Sequence, residues 1–358
     1  MKILFIVPYP TGEAPSQRFR FEQYFKFLSS KGHIYHISSF LNAHNWRLFY
    51  KPGNLVRKGA ALLRGFTVRL LDCFKSMNYD LVFIHREASP LGPPLFEWII
   101  GKVLKKKIIY DFDDAIWLTD KPKETLLERF VKSRSKVGQI CSWSYKISCG
   151  NDYLANYAKQ FNANVLVNPT TIDTERLKTS TLVKKNPHNE NIVIGWTGSH
   201  TTLKYLESIA NILFRIEQQF VNVSFLVIAN REPILNLKNL KFIQWKEETE
   251  IEDLSQIDIG LMPLPDDEWT KGKCGFKALQ YMSLGIPAVA SPVGVNTTII
   301  QHSTNGYLAK TDKEWFETLS ELIEKRELRD LLGLRSIKTV EMYYSVNSNK
   351  ERFLSLFA

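Results

Sequence analysis

The sequence predicts two doubly wound α/β domains, each a parallel β-sheet covered by helices on both faces. Short, continuous apolar runs alternate with amphipathic segments, and this series occurs twice along the chain. Strands that read as continuous apolar runs between helices are typical of a parallel sheet buried on both faces. The length of 358 residues also fits two domains, since a domain usually has about 150 residues.

The first series begins with the run KILFIV and continues with an amphipathic segment at 16–32, which Gly32 closes. Apolar side chains recur there at helical spacing, so we predict one helix over 16–32. β-Branched and aromatic residues dominate the apolar runs, which predicts strands. The predicted strands are 2–7, 33–40, 80–85 and 107–112.

The second series follows a polar, proline-broken stretch at 168–191, which is typical of a linker. It contains an amphipathic segment at 201–220, which predicts a helix. The predicted strands are 191–198, 223–230, 240–245, 258–264 and 286–291. We therefore expect domains at 1–170 and 171–340, with a helix in 341–358 that packs back on the first domain. Ligands of such sheets bind beyond the carboxyl ends of the strands, so we expect a site in a cleft between the domains.

Composition and charge limit the function classes. Hydrophobic residues make up 44% of the chain and charged residues 23%, as in ordinary globular proteins. The net charge of +10 favours anionic partners. Zinc-finger spacing and aromatic RNA-binding signatures are missing, so no nucleic acid is expected. The four cysteines form no C-x-x-C pair, and no apolar run reaches the length of a spanning helix. We expect a cytoplasmic protein with reduced thiols.

Three predicted helix starts carry cations, although the dipole at a helix N-terminus favours anions. A cation in the first turn costs about 0.3–1 kcal/mol, whereas a phosphate bound among the cations and free amides would make it favourable. The alternative is that these side chains bend into solvent. No G-x-G-x-x-G and no G-x-x-x-x-G-K-[ST] occurs. The residues concerned are Arg18, Arg20, Gly198, Ser199, Lys204, Lys271, Lys273 and Lys277.

Four segments resemble the GT-B glycosyltransferases of family 4, the glycosyl transferases of group 1. KGKCGFKALQYMSLGIPAVASPVGVN at 271–296 resembles the donor-binding motif, and LVNPTTIDTERL at 166–177 resembles the inter-domain segment. IGWTGSHTTLKYL at 194–206 and DIGLMPLPD at 258–266 resemble the glycine loop and the strand before the donor motif. The resemblance implies a GT-B fold, with two Rossmann-like domains facing across a cleft. It also implies sugar transfer from a nucleoside diphosphate, with retention and without a metal.

The donor motif departs from the family pattern at both of its glutamates. Gln280 stands at the second, which in the family holds the donor ribose, and Gly272 stands at the first. An amide oxygen still accepts one ribose hydroxyl, while Lys273 and Lys277 would clamp the diphosphate. Trp245 lies where the family places the nucleotide base. It would stack on that base or, as the alternative, be a residue of the core. The resemblance thus implies a donor site of Gly198, Ser199, Lys204, Trp245, Lys273, Lys277 and Gln280.

Three carboxylates follow one predicted strand, in IIYDFDDAIW at 108–117. A solvated turn, a metal site and a catalytic carboxylate are the alternatives. The D-x-D metal motif of the GT-A fold is disfavoured, because that fold lacks a second nucleotide domain. By the resemblance, Asp113 lies where relatives place a histidine beside the donor sugar. We predict that the clustered carboxylates raise one another's pKa, that Asp113 receives the acceptor proton, and that Asp114 caps the next segment.

The rim of the first domain supplies the remaining predicted site residues. His85, Arg86 and Glu87 end the strand beside the aspartates and are expected to contact acceptor or sugar, with His85 as a second catalytic candidate. Arg18 and Arg20 are expected on the phosphate or acceptor side. A surface loop is the alternative for each. No metal site is expected.

The predicted function is transfer of a sugar from a nucleoside diphosphate to a glycan or lipid-linked acceptor, in the synthesis of capsule, lipopolysaccharide or another cell-surface polysaccharide. No cofactor is expected beyond this donor substrate. The alternatives are a nucleotide-sugar epimerase of the same fold and a non-catalytic nucleotide-sugar-binding subunit.

The segment 54–75 predicts a basic amphipathic helix. Leucine and phenylalanine side chains share one side, while Arg57, Lys58, Arg64 and Arg69 share another. Such a helix can lie on an anionic bilayer, so we expect a peripheral location on the inner face of the membrane. The alternative is a helix packed on its own domain.

Overall fold

The computed structural model describes residues 1–49, 51–119, 125, 132–179 and 191–358. It contains two compact units. The first unit comprises Met1–Thr170, Gly272–Cys274 and Asn349–Ala358, and the second comprises Thr171–Lys271 and Gly275–Ser348. Residues 180–190 of the predicted linker lie outside the described residues.

The first unit is built on a six-stranded parallel sheet with the order β2-β1-β3-β4-β5-β6. Its strands are β1 (Lys2–Val7), β2 (Ile34–Ser39), β3 (Leu81–His85), β4 (Lys107–Phe112), β5 (Lys146–Cys149) and β6 (Val165–Val167). Its helices are α1 (Pro15–Arg18), α2 (Phe25–Ser30), α3 (Ala43–Phe49), α4 (Leu55–Ser76), α5 (Leu95–Trp98), α6 (Lys136–Trp143) and α7 (Asp152–Ala158). A 3₁₀ turn at Glu22–Tyr24 and a π turn at Ile99–Val103 complete it.

Aromatic residues fill the core of the first unit. Phe5 on β1 and Phe83 on β3 have ring centroids 4.8 Å apart, and Phe21 packs 5.6 Å from Phe5. The chain terminus joins this core, because Phe353 stacks on Tyr24 at 4.3 Å. Such aromatic pairs contribute about 0.5–1.5 kcal/mol beyond the burial of their area.

The predicted helix at 16–32 is broken into α1, the 3₁₀ turn and α2. The break turns the Arg20 side chain into the interior, where it is buried. Arg18 therefore lies in the last turn of α1 and not at a helix start. The sequence expectation that Arg18 and Arg20 open a helix was wrong, and a cation at a helix C-terminus is favourable without any bound phosphate.

The second unit has a parallel sheet with the order β12-β11-β10-β7-β8-β9. Its strands are β7 (Ile192–Gly198), β8 (Val223–Ala229), β9 (Leu240–Gln244), β10 (Ile259–Met262), β11 (Ala288–Ala290) and β12 (Tyr307–Leu308). The helices from residue 174 onward are α8 (Thr174–Thr179), α9 (Leu203–Glu207), α10 (Ala210–Gln219), α11 (Glu250–Ser255), α12 (Glu268–Lys271), α13 (Phe276–Ser283), α14 (Asn296–Ile299), α15 (Asp312–Glu324), α16 (Arg326–Thr339) and α17 (Val346–Leu354). A π turn at Val340–Tyr344 follows α16, and a 3₁₀ turn at Ser355–Phe357 follows α17. This last turn and α17 from Asn349 onward belong to the first unit. The helix predicted at 201–220 is two helices, α9 and α10.

Helix α4 confirms the helix predicted at 54–75. The burial of its side chains differs from the sequence prediction, because apolar residues are exposed and a residue of the predicted basic side is buried. Leu63, Leu70 and Phe74 point outward, with 71%, 51% and 61% of their surfaces exposed. Arg69, assigned by sequence to the basic side, is fully buried and pairs with Asp72 at 2.8 Å. No helix in the described part of the chain is both long enough and apolar enough to cross a bilayer.

Candidate active site

The first candidate site lies at the carboxyl edge of the first unit's sheet. Strand order reverses between β1 and β3, and such a switch point opens a crevice beyond the carboxyl ends of the strands. The sheet register pairs His85 at the end of β3 with Asp111 on β4, and Asp111 with Ser148 on β5. Three polar side chains are thereby aligned across three neighbouring strands.

Asp111 is the buried anchor of this edge. Its carboxylate accepts hydrogen bonds from Arg20, from Ser148 Oγ at 2.6 Å and from His85 Nδ1 at 2.8 Å. Arg20 also donates to the backbone oxygen of Asn168. Burial alone would raise the pKa of Asp111, but Arg20 and His85 outweigh it and hold that pKa well below its usual range. Asp111 is therefore a permanently ionised structural group, and Arg20 is its counterion.

Asp113 and Asp114 lie just beyond β4 and share the guanidinium of Arg86. Arg86 Nε donates to Asp113 Oδ1 at 2.7 Å, and Nη2 donates to Asp114 Oδ2 at 2.5 Å. Lys273 Nζ contacts Asp114 Oδ1 at 2.8 Å. Burial raises the pKa of Asp114, but Lys273 and Arg86 reverse this effect and lower it.

One sequence expectation about these carboxylates was therefore wrong. The pKa values of Asp111 and Asp114 are lowered rather than raised, because cations face both groups. The Asp114 side chain accepts from Arg86 and Lys273, while the segment that it was predicted to cap lies largely outside the described residues.

His85 links the anchor to Asp113. Since a carboxylate only accepts, the proton on Nδ1 is directed at Asp111. His85 Nε2 lies 4.0 Å from Asp113 Oδ1. Within the described residues, this buried nitrogen has no hydrogen-bond partner. The arrangement holds a basic nitrogen beside a second carboxylate at the edge of the sheet, which suits the transfer of a proton.

Arg86 occupies a left-handed backbone conformation, with φ of 58°. Its amide donates to the Asp111 backbone oxygen at 2.7 Å, and Tyr110 donates to its carbonyl at 2.6 Å. Non-glycine residues rarely adopt this conformation, and it costs about 1–3 kcal/mol unless the surroundings fix it. The fold thus maintains an unfavourable backbone in order to present the Arg86 guanidinium to the two aspartates.

Glu87 and Arg18, two further predicted site residues of the first unit, have contacts with residues outside the aspartate cluster. Glu87 pairs with Lys136, whose Nζ lies 2.7 Å from the carboxylate. Arg18 stacks on Phe19, with its guanidinium 4.9 Å from the ring centroid. The structure thus brings His85, Arg86 and Asp113 together but places Arg18 and Glu87 against other partners. Among the described residues, no group of three or more His, Cys, Asp and Glu side chains is placed to hold a metal ion.

The second candidate site lies at the carboxyl edge of the second unit's sheet, where strand order reverses between β7 and β10. Gly198 ends β7, and a Cβ there would lie 2.4 Å from the Trp196 ring, so a larger residue does not fit. Ser199 follows, and its amide donates to Thr202 Oγ1 at 3.1 Å. A tight turn without a side chain at Gly198 thus follows β7, where a ligand could approach the backbone closely.

Helix α13 begins beyond β10 and carries the cation predicted for its first turn. Gly275 precedes it with φ of 69°, and a Cβ there would lie 2.2 Å from Ile299. Lys277 Nζ lies 5.5 Å from the centroid of the Trp196 ring, which also limits the space at Gly198. The structure therefore brings Gly198 and Lys277 to the same indole. Lys204, in α9, lies over the ring of Tyr205.

Trp245 and Gln280 are joined by a residue that sequence reasoning missed. Trp245 Nε1 donates to Glu250 Oε1 at 3.0 Å, and Gln280 Nε2 donates to the same oxygen at 3.3 Å. An acidic residue in the first turn of a helix is common for reasons of the helix dipole alone. No local signal therefore distinguished Glu250 from an ordinary helix start.

Comparison with known proteins agrees with this architecture. Residues 191–325 match the family model for glycosyl transferases of group 1. None of the curated proteins matches the chain.

Solved structures show the same fold at low sequence identity. Sucrose-phosphate synthase from Thermosynechococcus elongatus is 12% identical with a TM-score of 0.72, covering 100% of this chain and 98% of that one. Anabaena Alr3699/HepE, in complex with UDP and glucose, is 13% identical with a TM-score of 0.65, covering 100% and 99%. The catalytic domain of starch synthase IV from Arabidopsis thaliana, bound to ADP and acarbose, is 10% identical with a TM-score of 0.68, covering 100% and 98%. Residues 191–325 are thus similar to glycosyl transferases of group 1, and the chain has the GT-B fold of these solved structures.

Proposed function

We propose that the chain transfers a sugar from a nucleoside diphosphate to a glycan or lipid-linked acceptor, with retention and without a catalytic metal. The observation that carries the proposal is the glycine turn and the helix start beside Trp196, with Lys277 in the first turn. The dipole of a helix N-terminus favours anions, and a cation in the first turn adds to that preference. HepE and starch synthase IV bind UDP and ADP, which supports a nucleoside diphosphate as the anion.

The acceptor side of the reaction is assigned to the first unit. Asp113 or His85 takes the proton of the acceptor hydroxyl, and Arg86 orients the Asp113 carboxylate through a contact of 2.7 Å. Cations of the chain neutralise the charge that develops on the leaving diphosphate. The acceptor belongs to the synthesis of a cell-surface polysaccharide such as a capsule or lipopolysaccharide.

Lys277→Ala is expected to weaken the binding of UDP, ADP or GDP by about 1.5–3 kcal/mol, the contribution of a hydrogen bond to a charged group. Isothermal titration calorimetry measures this change. Lys313→Ala is the matched control, because Lys313 lies on the second unit with 81% of its side chain exposed. Unchanged affinity of the Lys277 variant for a nucleotide that the parent binds would remove Lys277 from the phosphate site.

The two alternatives predict different dependence on an acceptor. A nucleotide-sugar epimerase converts its substrate without an acceptor, and a binding subunit releases no nucleoside diphosphate at all. Transfer instead requires both substrates. Nucleoside diphosphate release that rises when membrane extract is added favours transfer over both alternatives.

We also propose that α4 docks on an anionic membrane surface at the inner face of the cell membrane. It exposes the apolar residues Leu63, Leu70 and Phe74, and it contacts α5 and the following π turn, in which Trp98 and Val103 are also exposed. Basic residues on and near the helix supply charge complementarity to anionic lipids, at about 1 kcal/mol each. These are Arg57, Lys58, Arg64, Lys75 and Lys102.

Leu70→Ser combined with Phe74→Ser is expected to lower co-sedimentation with anionic liposomes at least about tenfold, since burying one such side chain contributes about 1.5–3 kcal/mol. Leu334→Ser is the control, because Leu334 is equally exposed, at 63%, on α16 of the second unit. Arg69 is unsuitable as a test of charge, since it is buried. Liposome binding that survives the double substitution would show that α4 is not the contact.

A further inference from the structure

Glu250 forms a buried polar junction in the second unit. It lies in the first turn of α11 with only 6% of its surface exposed. Its Oε1 accepts the Trp245 indole N–H at 3.0 Å and the Gln280 amide at 3.3 Å. A carboxylate is costly to bury, so it is retained where hydrogen bonds or charges compensate its lost hydration. The partners of such a group are held in a fixed geometry.

Gln280, the member of this junction on α13, lies on the same face of that helix as Lys277, the proposed phosphate contact. Gln280 follows Lys277 by three residues on α13, and residues at this spacing are neighbours on one side of a helix. They are displaced by about 4.5 Å along the helix axis, at 1.5 Å per residue. A nucleotide whose phosphates contact Lys277 therefore has its ribose within reach of Gln280.

The hydrogen bond to Glu250 determines which end of the Gln280 amide faces a ligand. Glu250 accepts from Nε2, so the remaining acceptor of the side chain is the carbonyl oxygen Oε1. The same carboxylate oxygen fixes the indole of Trp245 through its N–H. One buried group thus orients both an acceptor for a hydroxyl and an aromatic ring.

We infer that Glu250 is a positioning residue of the donor site, which aims the Gln280 carbonyl at a ribose hydroxyl and holds the Trp245 ring for the nucleoside. This inference rests on the proposed function. It also explains why position 280 carries an amide: a glutamate there would face the Glu250 carboxylate across a hydrogen-bond distance, and two like charges so close repel.

The test compares ribose selectivity among five proteins: the parent, Glu250→Ala, Gln280→Glu, the double variant Glu250→Gln/Gln280→Glu and the control Glu252→Ala. Calorimetry measures the affinities of UDP, ADP and GDP and of their 2′-deoxy counterparts. The parent should prefer ribose over 2′-deoxyribose about tenfold, which corresponds to one hydrogen bond. Glu250→Ala should lose this preference, since the amide is then free to rotate. Glu252→Ala, on the exposed side of the same helix, should retain it.

The exchanged pair provides the sharper comparison and does not require an alanine variant to fold. Gln280→Glu alone should bind ribonucleotides about tenfold more weakly, because two carboxylates then meet. The double variant restores one carboxylate and one amide and should recover most of that affinity and the ribose preference. A structural role alone would change the melting temperature while leaving the preference intact.

Two kinds of failure are distinguishable. If the parent binds no nucleoside diphosphate, the proposed function fails. If the parent binds one with ribose preference, but Glu250→Ala keeps that preference or the double variant is no better than Gln280→Glu, the positioning role of Glu250 is overturned.

Discussion

Asp111→Ala is expected to lower the free energy of unfolding of the first unit by about 3–5 kcal/mol, the cost of removing one partner from a buried ion pair. The substitution leaves Arg20 buried without its carboxylate and deprives Ser148 and His85 of their common acceptor. Urea denaturation followed by circular dichroism measures the loss. Asp330→Ala is the control, because Asp330 and Arg326 form an exposed pair and should contribute less than about 1 kcal/mol.

The pH dependence of the same pair has a defined sign. The pKa of Asp111 is lower in the folded chain than in the unfolded one, so ionised Asp111 stabilises the fold above the unfolded-state pKa of about 4. This contribution is lost as pH falls from there toward the lower folded-state pKa. The Asp111 variant should therefore lose less stability on acidification than the parent. Equal losses, or a variant as stable as the parent at pH 7, would contradict the role of Asp111 as the anchor.

Asp113→Asn is expected to lower sugar transfer by about 100- to 10,000-fold, the usual cost of removing a positioned proton acceptor. The substitution preserves shape, and Arg86 can still donate to the remaining amide oxygen. Nucleotide affinity and melting temperature should therefore change little. The assay measures nucleoside diphosphate released from a nucleotide sugar in the presence of membrane extract.

Asp114→Asn is the matched control for this experiment. Asp114 pairs with Arg86 and Lys273, so its loss should lower stability more than it lowers transfer. If Asp113→Asn transfers sugar at the parent rate, the carboxylate has no part in the reaction, and His85 alone becomes the candidate base.

The strands of both sheets followed from the sequence because each is a continuous apolar run between turn residues. The strand predicted at 107–112 has the bounds of β4, and 2–7 has those of β1. Three short strands, β5, β6 and β12, escaped prediction, since two to four residues carry too little periodicity to be recognised.

Long-range polar contacts account for what the sequence did not reveal. The break at 16–32 depends on Arg20 reaching Asp111, which is 91 residues away in the chain. Lys273 lies in the first unit, where it binds Asp114, although the donor motif from Gly275 onward belongs to the second. Glu250 is recognised as a site residue only in the structure, because Trp245 and Gln280 both donate to its carboxylate. No local pattern encodes such partners.

The release assay, applied to the unmodified chain with a panel of nucleotide sugars, tests the proposed transfer most directly. Nucleoside diphosphate should be released from at least one of them, with release rising when membrane extract is added and labelled sugar appearing in a glycan or lipid product. Absence of release from every nucleotide sugar, with and without extract, by a folded protein would contradict the assignment of this chain as a working sugar transferase.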